Sequence, residues 1–232
     1  MKTPLELNED FNYALDVLEK TTKSLFITGR AGTGKSTLLQ LFRNTTRKKV
    51  VVLAPTGIAA LNVGGQTIHS FCAFPPRFLT RRDIKKRNRF KKLYKRMEVC
   101  IIDEISMVRA DLLDAIDKFF QINRENPMPF GGVQMVFIGD LFQLPPVVRS
   151  DLEAQYFQFN YESPYFFSAK VFESNFEVEM MELRKVYRQE QRHFLRLLEA
   201  VRLNQADWED LEDLNERHEP DFESEEFFIT LS

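Results

Sequence analysis

An α/β domain built on a mainly parallel sheet is what this sequence predicts, and three observations predict it. Short runs that are apolar almost throughout recur at 25–28, 50–54, 99–103 and 133–138, as strands buried on both faces of a parallel sheet do. Stretches with helical spacing of apolar residues lie between them, which is what parallel crossovers require. Each run ends in glycine or polar residues, so the ends of the strands form one edge, and ligands bind at that edge in such sheets.

The elements follow in order. Phe11, Leu15 and Leu18 at helical spacing behind Asn8, a good N-cap residue, predict a first helix close to the nucleotide site described next. The strand Leu25 to Thr28 then breaks into Gly-Arg-Ala-Gly-Thr-Gly-Lys-Ser-Thr, with Gly29, Gly34, Lys35 and Ser36 in the Gly, four residues, Gly-Lys-Ser/Thr pattern, before a helix carrying Leu38, Leu39, Leu41 and Phe42. Strand, glycine loop and helix in that order make a phosphate-binding loop: backbone N–H groups converge on an anion and the helix adds its positive end. A polyphosphate is the expected guest.

Val50 to Ala54 reads as a buried strand feeding Pro55-Thr56-Gly57 and a helical Ile58-Ala59-Ala60-Leu61. Gly64 to Phe71 follows, with glycines that let backbone approach a ligand and Thr67, His69 and Phe71 able to hydrogen-bond or stack; a lone histidine is more often structural than a ligand contact, and the neighbouring motifs favour the contact here. Val99 to Ile102 is a further apolar strand ending in Asp103-Glu104, the Walker B pattern. An acid at the tip of a buried strand beside a phosphate loop suits Mg²⁺, and the carboxylate after it suits an attacking water.

Val108, Leu112, Ile116, Phe119 and Phe120 mark a packing helix closed at Asn126-Pro127, and the strand Val133 to Ile138 ends in Gly-Asp-Leu-Phe-Gln-Leu-Pro-Pro. Gln143 there can donate to a terminal phosphate and accept from water. The aromatic stretch 151–176 reads as core, because its rings are not interleaved with Lys or Arg. A strand at 178–183, two helices with Phe194, Leu197, Leu198 and Val201 and then Trp208, Leu211 and Leu214, and a strand beginning at Phe227 complete the chain.

Composition narrows the class. The chain has 232 residues, 44% of them hydrophobic, enough for a sizeable core, and no apolar run reaches the ~20 residues that span a bilayer. Its two cysteines, Cys72 and Cys100, have no metal-like spacing, so neither a disulfide framework nor a zinc site is expected, and a cytosolic location is the default. The net charge of −2 conceals a basic stretch at 77–96, eleven Lys/Arg against Asp83, which leaves −12 elsewhere, much of it at 207–226. Within that stretch Phe90, Leu93, Tyr94 and Met97 share a helical face, so the lysines and arginines face water and suit a phosphate backbone.

Five stretches, Gly29–Ser36, Ala54–Phe71, Ile101–Met107, Gly139–Val147 and Leu183–Gln189, together resemble the petite-integration-frequency helicases, 5′-to-3′ DNA helicases of superfamily 1. The likeness rests on Ala-Pro-Thr-Gly-Ile-Ala-Ala-Leu-Asn-Val-Gly-Gly-Gln-Thr-Ile-His-Ser-Phe, Ile-Ile-Asp-Glu-Ile-Ser-Met and Gly-Asp-Leu-Phe-Gln-Leu-Pro-Pro-Val, and runs from about Leu5 onward. It implies a RecA-like P-loop ATPase domain with a small basic helical insertion at about 77–97. It implies that Gly29, Ala31, Gly32, Thr33, Gly34, Lys35, Ser36 and Thr37 cradle ATP. Lys35 would contact the β- and γ-phosphates, Ser36 and Asp103 would hold Mg²⁺, Glu104 would activate water, Gln143 would sense the γ-phosphate and Arg188 would reach it as a finger.

Thr56, Gly57, Thr67, His69 and Phe71 match the family's single-stranded DNA contacts, and Lys85, Lys86 and Lys91 of the insertion are added from the charge argument. The resemblance further implies a soluble monomer acting on single strands and tailed duplexes, nucleoid-associated if bacterial, in repair, recombination or telomere maintenance. Where the family usually has a glutamine that recognises adenine, this chain has Phe11. The family also has a second RecA-like domain. The expectation is therefore a first motor domain at 1–226, with C-terminal helices at about 189–217, the start of a second domain at 227–232, and little hydrolysis or unwinding by this half alone. The competing reading, a loader or transposition ATPase that binds DNA without unwinding it, sits poorly with Gly-Asp-Leu-Phe-Gln-Leu-Pro-Pro.

Overall fold

A computed structural model of the chain describes residues 8–30, 32–185 and 192–216. Six strands form one parallel sheet: β1 (Ser24–Thr28), β2 (Val50–Ala54), β3 (Gln66–Thr67), β4 (Val99–Ile102), β5 (Gln134–Ile138) and β6 (Val178–Glu182), in the spatial order β3-β2-β4-β5-β1-β6. All five pairings are parallel. β4 and β5 are buried at every position, which is why they read as apolar runs, interrupted only by the buried Gln134 that opens β5, whereas β6 lies at an edge and leaves Met180 exposed.

Helices cover the faces. On one side α1 (Glu9–Lys20) and α2 (Lys35–Thr45) bury Phe11, Leu18, Leu38 and Phe42 in a cluster with Leu25, Ile27, Ile101 and Val136. Asn8 caps α1 by accepting from the Phe11 amide at 2.9 Å. Phe11 is fully buried, so the first helix offers that ring to the core and not to a nucleotide base. On the other side α6 (Ala110–Arg124) packs Leu113, Ile116, Phe119 and Phe120 onto Cys100, Ile102, Met135 and Phe137. Lys48 fastens the amino-terminal edge: it donates to the Thr21 carbonyl at 2.6 Å and to Gln134 Oε1 at 2.8 Å, and its burial lowers its pKa.

Short helices punctuate the crossovers: α3 (Gly57–Asn62), α4 (Ile68–Cys72) and α5 (Lys91–Arg96). The basic stretch is less helical than its spacing predicts, a single turn at Asn88–Phe90 and then α5, with Tyr94 and Met97 buried but Phe90 and Leu93 half exposed. Arg124 holds this insertion, donating from Nη1 to the Tyr94 and Met97 carbonyls at the end of α5, the latter at 2.7 Å. The aromatic stretch contains a helix the sequence did not announce, α7 (Asp151–Asn160), capped by Ser150. Phe157 and Phe166 enter the core, and Phe159 stays exposed.

The chain divides into two compact units at residue 188/189. The second contains α8 (Arg192–Arg202) and α9 (Trp208–Asn215), joined by Arg196 to Asp210 at 2.6 Å and by His193 to Asp213 at 2.8 Å. Ala31, Arg188 and the expected strand at 227–232 lie outside the described residues.

Candidate nucleotide and nucleic-acid sites

β1 delivers its chain into a loop that only glycine can close. Gly29, Gly32 and Gly34 have φ of 151°, 80° and 89°, a region that penalises a side chain. A Cβ on Gly29 would stand 2.7 Å from the Leu183 carbonyl oxygen and 2.8 Å from Thr33 Oγ1. Thr33 is buried and donates to the Arg30 carbonyl at 2.8 Å, so its side chain closes the loop and only its backbone can face a ligand. Gly34 caps α2 without a side-chain bond, and the start of that helix adjoins the loop, the arrangement that binds phosphate. Lys35 lies over the loop, donating to the Gly29 carbonyl at 2.5 Å and the Arg30 carbonyl at 3.2 Å.

Two neighbouring strand ends complete this edge. β4 continues into Asp103, whose amide donates to the Leu53 carbonyl at 2.9 Å. Burial and the adjacent Glu104 charge push the Asp103 carboxyl up to about 6, with Lys35 pulling it back; Asp103 and Lys35 therefore share one electrostatic environment. A divalent cation suits this carboxylate, because it would restore the charged form that burial disfavours. Glu104 sits at φ 52°, ψ 45°, a left-handed conformation unusual for a non-glycine residue and of the kind that accumulates at functional sites.

β5 ends at Gly139, where a Cβ would lie 2.9 Å from Ile105 Cγ2 and 3.1 Å from the Ile105 amide nitrogen. That contact seats the Asp140 loop on the turn that carries Glu104. Asp140 is fully buried and accepts from the Phe142 amide, its carbonyl accepts from the Gln143 amide at 3.0 Å, and Gln143 is exposed beyond it. Because β1, β4 and β5 are sheet neighbours, the loops carrying Lys35, Asp103, Glu104 and Gln143 leave the same edge.

A groove of about 400 Å³ opens along the β2 side of this edge, lined by Thr56, Thr67, His69, Phe78, Arg109 and Arg149 among others. Thr56 and Thr67 cap α3 and α4, each accepting a backbone amide at 3.2 Å. A Cβ on Gly57 would meet no atom within 4 Å, so packing does not demand glycine there. His69 is half buried, and burial, then Arg109 and Arg149, lower its pKa.

Phe71 departs from expectation. Its ring is 7% exposed and packs edge-on against Tyr94 and Phe120 at 5.4 and 6.3 Å, so it is core and offers no face to a base. The signal was present in the sequence: Ile68, Phe71 and Cys72 stand at i, i+3 and i+4, the buried face of α4.

The groove also holds residues that the sequence did not single out. Arg109 makes a two-bonded pair with Asp111, at 2.9 and 2.8 Å, and reaches Glu153 at 3.1 Å. Its guanidinium covers Phe78 and Phe157, with centroids at 5.4 and 5.5 Å. With two carboxylates in hand, Arg109 acts mainly to fix the groove wall. Arg149 is exposed on the same groove. Neither had a sequence signal beyond following a motif.

The insertion lysines are also more engaged than composition implies. Lys86 and Lys91 meet Glu125 at 2.5 and 3.2 Å, and Lys95 joins them. Lys85 is exposed, and its carbonyl accepts from Asn123 at 3.2 Å.

A model of the PIF1-like helicase family matches residues 7–211. The chain belongs to that family. ATP-dependent DNA helicase PIF1 of Saccharomyces cerevisiae, strain YJM789, is 36% identical over 220 residues, covering 89% of this chain and 24% of the relative. The human protein of the same name is 35% identical over 189 residues, 79% of this chain and 28% of its own. The Pif1 helicase from Bacteroides, solved in complex with ADP-AlF3 and ssDNA, superposes with a TM-score of 0.86 at 37% identity, over 95% of this chain and 52% of that one. The six-stranded parallel sheet is thus the RecA-like P-loop fold of PIF1-like helicases. The chain spans about a quarter of these curated relatives and about half of the solved chain.

Proposed function

We propose that this chain is an ATP-dependent motor domain of a DNA helicase, taking Mg²⁺–ATP at the phosphate loop and single-stranded DNA in the adjoining groove. The observation that carries the reading is the placement of Lys35, Asp103, Glu104 and Gln143 on adjacent strand ends of one sheet edge, with the Thr56–Thr67–His69 groove beside them. The Pif1 relative solved with ADP-AlF3 and ssDNA supports both ligands.

In this reading the amides of the glycine loop and of the start of α2 bind the β- and γ-phosphates, and Lys35 exchanges the Gly29 carbonyl for phosphate oxygens. Ser36, exposed at the start of α2, and the partly buried Asp103 would hold magnesium, which supplies positive charge against the phosphates. Glu104 orients the attacking water and takes its proton. Gln143 reads the terminal phosphate from its exposed loop. Arg188, outside the described residues, keeps the finger role that the resemblance implies.

On the DNA side, Thr56, Gly57, Thr67 and His69 make the short-range contacts, and Arg149 adds charge. Tailed duplexes are the expected substrates in repair, recombination or telomere maintenance. The domain is proposed to work as a monomer in a DNA-containing compartment; among the described residues no helix is long and apolar enough to cross a membrane.

Binding of a labelled single strand, titrated with salt, tests the groove. Wild type should bind with a salt-dependent affinity, and Thr67→Ala with His69→Ala should weaken it with little change of slope, since neutral contacts release few counterions. Unchanged affinity in that double variant would move the DNA elsewhere.

A further inference from the structure

Helix α6 ends by gripping the basic insertion twice. Arg124 takes the main chain, donating to the Tyr94 and Met97 carbonyls. The next residue, Glu125, takes the side chains: Lys86, Lys91 and Lys95 converge on its carboxylate, Lys86 at 2.5 Å and Lys91 at 3.2 Å. All four side chains are 39–46% exposed. Glu125 ends the helix at φ 57°, ψ 41°, the left-handed C-cap position where glycine or asparagine is the ordinary residue. The backbone alone therefore gives no reason for glutamate.

Three ammonium groups around one carboxylate leave a local excess of two positive charges on a water-exposed surface. One carboxylate oxygen pair at hydrogen-bonding distance from several lysines is also how a phosphodiester would sit there. The groove lies at the opposite end of α6, which brings Asp111 and Leu112 to it, and at 1.5 Å per residue the two ends are roughly 20 Å apart. The lysine cluster is thus a separate contact point and not part of the groove.

We propose that Glu125 is an internal stand-in for a nucleic-acid phosphate: it quenches Lys86, Lys91 and Lys95 when no DNA lies on the insertion, and is displaced when the DNA backbone extends beyond the groove. The proposal rests on the DNA-binding reading above and adds a regulated second contact to it. Exposed ion pairs of this kind are individually weak, so a phosphate can replace the carboxylate without unfolding the insertion. Arg124 and the buried Tyr94 and Met97 keep α5 in place throughout.

Equilibrium binding of a fluorescent 5′-tailed duplex, titrated from low to high salt, tests this on wild type, Glu125→Gln, the Lys86→Gln/Lys91→Gln/Lys95→Gln triple variant and the groove variant Thr67→Ala/His69→Ala. Removing one quenching charge should steepen the log–log salt slope by about 0.7–0.9 and tighten binding about 5-fold near 0.1 M salt. The triple variant should bind more weakly, with a shallower slope, and adding Glu125→Gln to it should then change nothing. Groove variants that weaken binding while Glu125→Gln leaves affinity and slope unaltered would overturn the stand-in and leave the groove reading intact. Loss of the groove effect with the Glu125→Gln effect retained would do the reverse. Thermal melts of each variant confirm folding; a Glu125→Gln protein that melts lower and binds no tighter marks the cluster as structural and also overturns the proposal.

Discussion

Lys35 Nζ and the carbonyl oxygen of Gly29 stand 2.5 Å apart, closing the phosphate loop on itself through the side chain that the site is built to offer. The ammonium donates to the Gly29 and Arg30 carbonyls, and a polyphosphate offers it anionic oxygens, whose charge-assisted bonds are about twice as strong as neutral ones. Lys35→Ala should therefore lower affinity for Mg²⁺–ATP by more than about tenfold while costing only about 1 kcal/mol of stability, the net worth of such a bond. Nucleotide titration by calorimetry and a thermal melt check both halves.

Glu104→Gln separates binding from chemistry. The amide can still orient water but cannot accept its proton, so turnover should fall by about 10²–10⁴-fold with nucleotide affinity nearly unchanged. Normal turnover in this variant removes Glu104 from the base role.

Gly139→Ala should act on the same turn from a distance. The added methyl lands 2.9 Å from Ile105 Cγ2 and 3.1 Å from the Ile105 amide nitrogen, so the segment carrying Glu104 must shift. Turnover should drop while ATP affinity holds; an unaffected rate would show that the turn tolerates the displacement.

Phe71 and His69 should behave oppositely although they lie two residues apart. Phe71→Ala empties a core position and should cost about 3–5 kcal/mol, with DNA affinity of the folded protein unchanged. His69→Gln should leave the melting temperature nearly unaltered near neutral pH and weaken DNA binding. Denaturant unfolding and strand binding on both variants decide it.

His69 also sets a pH signature. Burial and the positive charges of Arg109 and Arg149 lower its pKa in the folded chain, below an unfolded value of about 6.5, so it is neutral near pH 7. Stability from this group is full above about pH 6.5 and is lost as pH falls through the window below it, because the unfolded state binds the proton first. A neighbouring phosphate favours the imidazolium, so strand affinity should rise as pH drops from about 8 to about 6, and His69→Gln should flatten that dependence.

The parts legible in the sequence were those whose physics is local. β2, β4 and β5 announce themselves because a strand buried on both faces has no polar alternation, and the glycine loop does so because its bends exclude side chains. β3 has only two residues, and α7 exposes Leu152 and Phe159 beside the buried Phe157, which breaks its periodicity. The groove and the lysine cluster both needed tertiary proximity: in the groove Arg109 meets Glu153, forty-four residues away, and in the cluster Lys86 meets Glu125, thirty-nine away. Charge counting over 77–96 found the lysines but had no means to find the carboxylate that quenches three of them.

On the reading proposed above, one sheet edge hydrolyses ATP under the influence of DNA bound beside it. Single-turnover hydrolysis of Mg²⁺–ATP, measured on wild type and Glu104→Gln with and without a single strand, is the decisive measurement. Slow hydrolysis that depends on Glu104 and is accelerated by the strand is expected. Equal rates for wild type and Glu104→Gln, with no response to DNA, would contradict it.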